Sequence, residues 1–144
     1  MNARDILLVR ESHAWVEPVA DQAAAQFYDR VFERAPGVAA LFRVDMAQQG
    51  ARLMDMIGAA VGLLHDLPRL DAVLTDLGRR HISYGVQAAH YEVVGSALLD
   101  TLAAALGLAF TPEHRLAWAT LYGHVSRTMQ GAAGSISGRA CRQP

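Results

Sequence analysis

The chain has little cysteine, little proline and almost no net charge. Its single cysteine, Cys141, excludes an internal disulfide bond and is typical of a protein in a reducing compartment. The net charge of -1 provides no basic field for nucleic acid or for an acidic membrane surface. No apolar run approaches the length of a membrane-spanning helix, and the N-terminal stretch MNARDILLVRESHAW lacks the features of a secretion signal. We therefore expect a soluble cytoplasmic protein without nucleic-acid or membrane partners.

Apolar residues make up 52% of the 144 residues, and they recur at helical spacing. No stretch alternates convincingly with a period of two, as a half-buried strand would. The patterns predict about seven helices of unequal length in one all-α domain. The domain is expected to span residues 1–134, and residues 135–144 to form a loose tail. Helices are predicted over Asn2–Val16, from Asp21 to before Pro36, briefly over Pro36–Phe42, and then from Asp45, from Pro68, after Gly85 and from Pro112.

Capping signals support three of these boundaries. Asp45 with Gln48 three residues later resembles a capping box. Gly85 stands where the helix that begins near Pro68 should stop. The triplet Thr111-Pro112-Glu113 combines a capping hydroxyl, a proline and an acid, which together favour the start of a helix.

His81 ends the apolar stripe of the helix that begins near Pro68, four residues after Leu77. A neutral imidazole in an apolar cavity can bind a metal ion while a backbone carbonyl holds its other ring nitrogen. Taken alone, such a histidine is more often a hydrogen-bonded core residue.

Tyr28 and Gln49 are two further polar residues on or beside apolar helix faces. A buried hydroxyl or amide needs a hydrogen-bond partner, so each could simply be a satisfied core residue. If the helices pack around one apolar slot, however, a ligand on one wall could face a hydroxyl and an amide on the other. That arrangement would suit a flat apolar cofactor that carries a metal.

Three stretches of the chain resemble the globins, specifically the bacterial single-domain globins and the globin module of flavohaemoglobins. They are QFYDRVFERAPGVAALF (Gln26–Phe42), DMAQQGARLM (Asp45–Met54) and LGRRHISYGVQAAHYEVVGSALLDTL (Leu77–Leu102). The resemblance covers about Leu8 to Ala132. It implies a globin fold of about seven helices around one pocket for haem b.

The resemblance also implies roles for single residues. His81 matches the histidine that binds the iron, and Phe42 matches the phenylalanine that packs on the haem. Tyr28 and Gln49 match the distal tyrosine and glutamine that donate hydrogen bonds to bound O2. Leu53 matches the apolar residue that limits the room above the iron.

Further residues are expected to contact the cofactor. Arg52, at the rim of the pocket, could pair with a haem propionate or could be a solvated charge on a helix face. The others are Ile57, Leu77, Tyr84, Val86, Tyr91, Val94 and Met129.

The function implied by the resemblance is reversible binding of O2, CO and NO at the haem iron, by a monomer or homodimer. The alternative is a nitric oxide dioxygenase, a weak peroxidase or another haem oxidoreductase. The 144 residues contain no flavin- and NAD-binding module, so such an enzyme would need an external reductase. A third possibility is a haem-free helical sensor or interaction domain.

Tyr91 matches a tyrosine that acts with a late-helix glutamate in flavohaemoglobins to polarise the proximal histidine. The expected glutamate region here reads Met129-Gln130-Gly131-Ala132-Ala133. Without that carboxylate, His81 should be a weaker electron donor, which favours gas binding over cleavage of an O–O bond.

Overall fold

The computed structural model describes residues 1–42 and 44–142, with the backbone alone for residues 132–142. These residues form seven α-helices and two short 3-10 turns, Glu17–Val19 and Gly107–Ala109, and they contain no strand. The all-α prediction is confirmed, including the short third helix. The helices are α1 (Ala3–Val16), α2 (Ala20–Arg34), α3 (Pro36–Ala39), α4 (Met46–Gly62), α5 (Leu67–Ser83), α6 (Ala88–Leu106) and α7 (Pro112–Arg142).

The predicted helix boundaries have clear local causes. The Asp45 carboxylate caps α4 by accepting from the Ala47 backbone N–H at 2.8 Å, so Asp45 is the cap as expected, but the bond goes to Ala47 and the capping box expected with Gln48 is not formed. Asp66 caps α5, and Pro68 lies in its first turn, where no N–H is needed. After α5 the chain turns at Gly85, whose φ of 87° is readily adopted only by glycine.

The last helix is longer than the sequence pattern suggests. Thr111 Oγ1 accepts from the His114 backbone N–H at 3.3 Å, so α7 begins at the predicted restart. The helix then continues to Arg142, whereas a loose tail was expected for residues 135–144, of which residues 143 and 144 lie outside the described part of the chain. No proline interrupts the chain between Pro112 and Pro144, so nothing forces an earlier stop. The domain boundary at residue 134 stays a prediction.

The span Ala88–Ala109, which contains α6, is long and apolar enough by length and composition alone to cross a membrane. The expectation that no apolar run approaches that length is therefore corrected. In the structure this helix packs against α2 and α7 and contributes Tyr91, Ala97 and Leu102 to the core.

The apolar interior has two parts. The main core joins α1, α5, α6 and α7 through residues such as Val9, Leu74, Leu102 and Trp118. A second group, here called the aromatic cluster, lies where α2 meets α3, α4 and α6. Its buried members are Phe27, Tyr28, Val31, Val38 and Ala97, with the half-buried Phe32, Phe42, Leu53 and Val94 among the residues packed against them.

Close approach of α5 and α7 depends on Gly78. A Cβ at this position would lie 2.5 Å from the Met129 backbone oxygen and 2.8 Å from the Met129 Cα. Because these are backbone atoms, they cannot move aside without shifting a whole helix. This contact sets the position of α5, the helix that carries His81.

We therefore expect Gly78→Ala to destabilise the fold, by about 1–3 kcal/mol, because it overpacks a helix contact. Urea unfolding followed by circular dichroism measures the loss. Gly131→Ala in α7 is the matched control, since a Cβ there has nothing within 4 Å. If both variants unfold at the urea concentration of the wild type, the close contact has been misassigned.

Candidate functional site

Tyr28 is held in the interior by α2 and reaches across to α4. Its side chain is 7% exposed, and its hydroxyl oxygen accepts a hydrogen bond from Gln49 Nε2 at 3.2 Å. Burial raises the pKa of the Tyr28 hydroxyl above its usual value, and the Gln49 bond offsets part of that rise. The phenol therefore keeps its proton at neutral pH and has an O–H group to donate.

Three phenylalanines surround the Tyr28 ring. Phe27 and Phe42 meet it edge to face at centroid distances of 5.0 and 5.4 Å, and Phe32 lies 5.8 Å away. Aromatic pairs at these separations restrict ring motion as well as burying apolar area. The aromatic cluster thus fixes the position of the Tyr28 hydroxyl.

Gln49 is half-buried at the start of α4, whereas its neighbour Gln48 is exposed. If the protein binds O2 at a haem beside Tyr28, as the resemblance to globins implies, Gln49→Leu should speed O2 release by about tenfold, the effect of losing one modest hydrogen bond. Gln48→Leu makes the same chemical change outside the site and should leave the rate unchanged. Stopped-flow measurement of O2 dissociation compares the two, and equal rates for both variants would argue against a role for Gln49.

His81 lies in the last turn of α5, with its ring partly buried. Its Nδ1 is 2.8 Å from the Leu77 carbonyl oxygen. Because a carbonyl can only accept, Nδ1 carries the proton and Nε2 is left with a free lone pair. Burial lowers the pKa of His81 and the nearby Arg80 lowers it further, while the Leu77 bond opposes them. A neutral imidazole with a free Nε2 is the form that binds a metal ion.

Tyr84 and the turn that follows α5 border His81. The Tyr84 ring centroid is 5.8 Å from that of His81, and Tyr84 is 56% exposed. A Cβ at Gly85 would lie 3.4 Å from Leu41 Cδ2, which places the turn beside the segment that follows α3. This end of α5 is therefore next to solvent.

The remaining predicted site residues fall into three settings, and their roles stay predictions. Phe42, Leu53 and Val94 are half-buried and pack against the aromatic cluster with Tyr28. Arg52 is exposed on α4. Five lie in or against the main core: Ile57, Leu77, Val86, Tyr91 and Met129.

Two polar residues near the aromatic cluster, Thr101 and Arg30, were not identified from the sequence. Thr101 is 2% exposed on α6, and its Oγ1 accepts from Arg30 Nη1 of α2 at 2.9 Å. Thr101 lies three residues after Leu98 and next to Leu102, within the apolar face of α6. A polar residue in that face is the sequence feature that could have identified it. Arg30 gave no such signal, because it lies off the apolar face of α2.

Comparison with known proteins shows the family to which the chain belongs. The model of the globin family matches residues 25–129. The chain is 34% identical over 116 residues to neuroglobins of Dissostichus mawsoni and Chaenocephalus aceratus, covering 71% of this chain and 73% of each of those proteins. It is 29% identical over 140 residues to a flavohemoprotein of Rhodopirellula baltica, covering 94% of this chain and 34% of that protein.

The chain therefore belongs to the globin family. Membership supports haem-based binding of small gases in general. The residues present fit a haem. His81 offers a free Nε2 from a partly buried, neutral ring. Phe42, Leu53 and Val94 supply apolar surface of the kind that a porphyrin needs.

Proposed function

We propose that this globin binds haem b and uses it to bind O2 reversibly, and CO and NO as well. The observation that carries the proposal is the Tyr28–Gln49 pair, a buried donor that the fold holds in a fixed place. His81 is the residue proposed to hold the iron, through Nε2.

A haem held through His81 Nε2 would supply a ferrous iron able to bind diatomic gases, with partial negative charge developing on bound O2. Gln49 already donates to one lone pair of the Tyr28 oxygen, so the Tyr28 hydrogen is free to point at the gas. A fixed donor in a dry pocket stabilises negative charge more than water would. Carbon monoxide gains less charge than O2 and should benefit less.

An O2 titration of the reduced protein tests this proposal. We expect saturable spectral changes that reverse when O2 is removed, with slow O2 release. Oxidation of the iron on first contact with O2, without a reversible stage, would contradict a gas-binding function. A Tyr91→Phe variant should keep reversible binding, because its hydroxyl is assigned no contact with the gas.

A nitric oxide dioxygenase with an external reductase is the second candidate. The similarity to the Rhodopirellula baltica flavohemoprotein, whose name joins a flavin to a haem protein, favours a function coupled to a flavin reductase, and the match covers 94% of this chain and 34% of that protein. Tyr28 and Gln49 are compatible with both functions. Sustained consumption of NO in the presence of O2 and a flavin reductase would support the enzyme. A single burst equal to the amount of protein would restrict the function to gas binding.

We also propose that the chain works in the cytoplasm as a monomer or homodimer. Light scattering of the purified haem-loaded protein distinguishes the two states, and a larger particle would contradict both.

A further inference from the structure

His81 lies in the last turn of α5, where a helix is held least firmly. The residues on both sides of it, Arg80 and Ile82–Tyr84, are exposed. The last carbonyl groups of a helix have no partner within the helix, so its end frays unless further contacts close it. The proposed iron ligand therefore depends on contacts beyond α5 itself to keep its ring in one orientation.

The backbone part of this support is a Schellman motif that closes on His81. The Val86 N–H donates to the His81 carbonyl oxygen at 3.1 Å. The Gly85 N–H donates to the Ile82 carbonyl oxygen at 3.0 Å, and the φ of 87° at Gly85 is the conformation that the motif requires. These bonds fix the backbone of His81 but leave its imidazole free to rotate about the side-chain bonds.

Two contacts restrict the His81 ring, one from each direction along the helix. Towards the N-terminus, Nδ1 is 2.8 Å from the Leu77 carbonyl oxygen. Towards the C-terminus, the Tyr84 ring centroid is 5.8 Å from that of His81, with an angle of 55° between the planes. Residues three and four apart on a helix are neighbours, which is why both can reach the ring. One hydrogen bond alone would let the ring rotate about it, whereas the second contact opposes that rotation.

Tyr84 is held in place although it is 56% exposed. Its N–H donates to the carbonyl oxygens of Arg80 at 3.2 Å and of His81 at 3.1 Å. A ring this exposed contributes little apolar burial, so its main interaction is the contact with His81. The sequence predicts that Tyr84 contacts the cofactor, whereas the structure shows its ring against the proposed iron ligand.

We propose that Tyr84 is a positioning residue for His81. Its ring keeps the imidazole in the orientation in which Nδ1 meets the Leu77 carbonyl and Nε2 stays free for the iron. The consequence for haem rests on the proposed function, but the contact between the two rings does not. A ligand that is already oriented loses less freedom when the iron binds, so the haem is retained longer.

The exchange of the His81 Nδ1 proton with water tests the positioning. It is measured by nuclear magnetic resonance of the ferric cyanide form of the haem-loaded protein, with saturation of the water signal. Tyr84→Ala removes the ring and should speed this exchange by about fivefold, the effect of one aromatic contact. Tyr84→Phe keeps the ring and should restore the wild-type rate. An unchanged rate in Tyr84→Ala would overturn the proposal.

Ile82→Ala is the matched control. Ile82 is 38% exposed and follows His81 directly, and adjacent residues of a helix do not face each other. This variant should therefore leave the Nδ1 exchange unchanged. The Val86 amide proton, which closes the Schellman motif, serves as an internal reference. If it exchanges faster in Tyr84→Ala by the same factor as Nδ1, the whole helix end has frayed and the positioning role is wrong.

The rate of haem loss to an excess of a haem-free acceptor protein tests the consequence. Tyr84→Ala should lose haem about fivefold faster, for the same reason, while Tyr84→Phe and Ile82→Ala should not. If Tyr84→Ala loses haem faster but its Nδ1 proton exchanges at the wild-type rate, Tyr84 acts on the cofactor directly and the proposal is overturned.

Failure of the proposed function is distinguishable from failure of this proposal. A purified protein that takes up no haem contradicts the function and leaves the contact between the rings to be decided. The nitrogen chemical shifts of the neutral His81 ring in that protein report which nitrogen carries the proton. Tyr84→Ala should move protons from Nδ1 to Nε2, and unchanged shifts would overturn the positioning role.

Discussion

His81→Gly should abolish most of the haem absorption of the purified protein. The substitution removes the free Nε2 that α5 presents, and no iron ligand replaces it. It also leaves space for an imidazole molecule, so imidazole added to the buffer should restore much of the haem spectrum. Absorption in the Soret region, with and without imidazole, measures both effects.

The control for this experiment is His65→Ala. His65 is exposed after α4, where its Nδ1 lies 3.2 Å from Arg10 Nη2. This variant should retain full haem content. If His81→Gly keeps its haem spectrum without imidazole, another residue holds the iron and the assignment of His81 is wrong. Circular dichroism of the helices separates loss of haem from loss of fold.

Tyr28→Phe should accelerate O2 dissociation by about 10- to 100-fold, since a hydrogen bond to a charged group in a buried site contributes about 1.5–3 kcal/mol. The ring and its contacts with Phe27 and Phe42 remain, so packing is little changed. CO dissociation should change much less, because CO carries less charge. Stopped-flow replacement of one gas by the other gives both rates.

The pH dependence provides an independent check on the same donor. Burial raises the pKa of Tyr28, so its neutral form persists to higher pH than that of an exposed tyrosine. We expect the slow O2 release to be retained from neutral pH up to the usual pKa range of tyrosine, and to be lost only above it.

An equal acceleration of O2 and CO release in Tyr28→Phe would indicate a steric effect and not the loss of a hydrogen-bond donor.

Much of the fold follows from local sequence features. The apolar spacing of Ala24, Phe27, Tyr28 and Val31 predicts α2, and all four are buried there. Asp45 and Gly85 mark boundaries because capping and positive φ are properties of single residues. Helix α6 was harder to interpret. Apolar residues occur on all its sides, so periodicity could not single out Ala97 as a buried position.

Less of the candidate site than of the fold can be predicted from the sequence. Tyr28, Gln49 and His81 could be selected from the sequence because each interrupts or borders an apolar face. The hydrogen bond between Gln49 and Tyr28 could not be predicted from the sequence, because it depends on the separation of α2 and α4, which helical periodicity does not specify. The Arg30–Thr101 hydrogen bond is likewise a property of packing between helices.

The visible absorption spectrum of the purified protein, reduced without O2 and then exposed to CO, tests the central claim most directly. The account predicts a haem Soret band that shifts to a carbonyl form, which requires both a bound haem and an open position on the iron. A protein supplied with haem that shows no such band would contradict a haem pocket at His81.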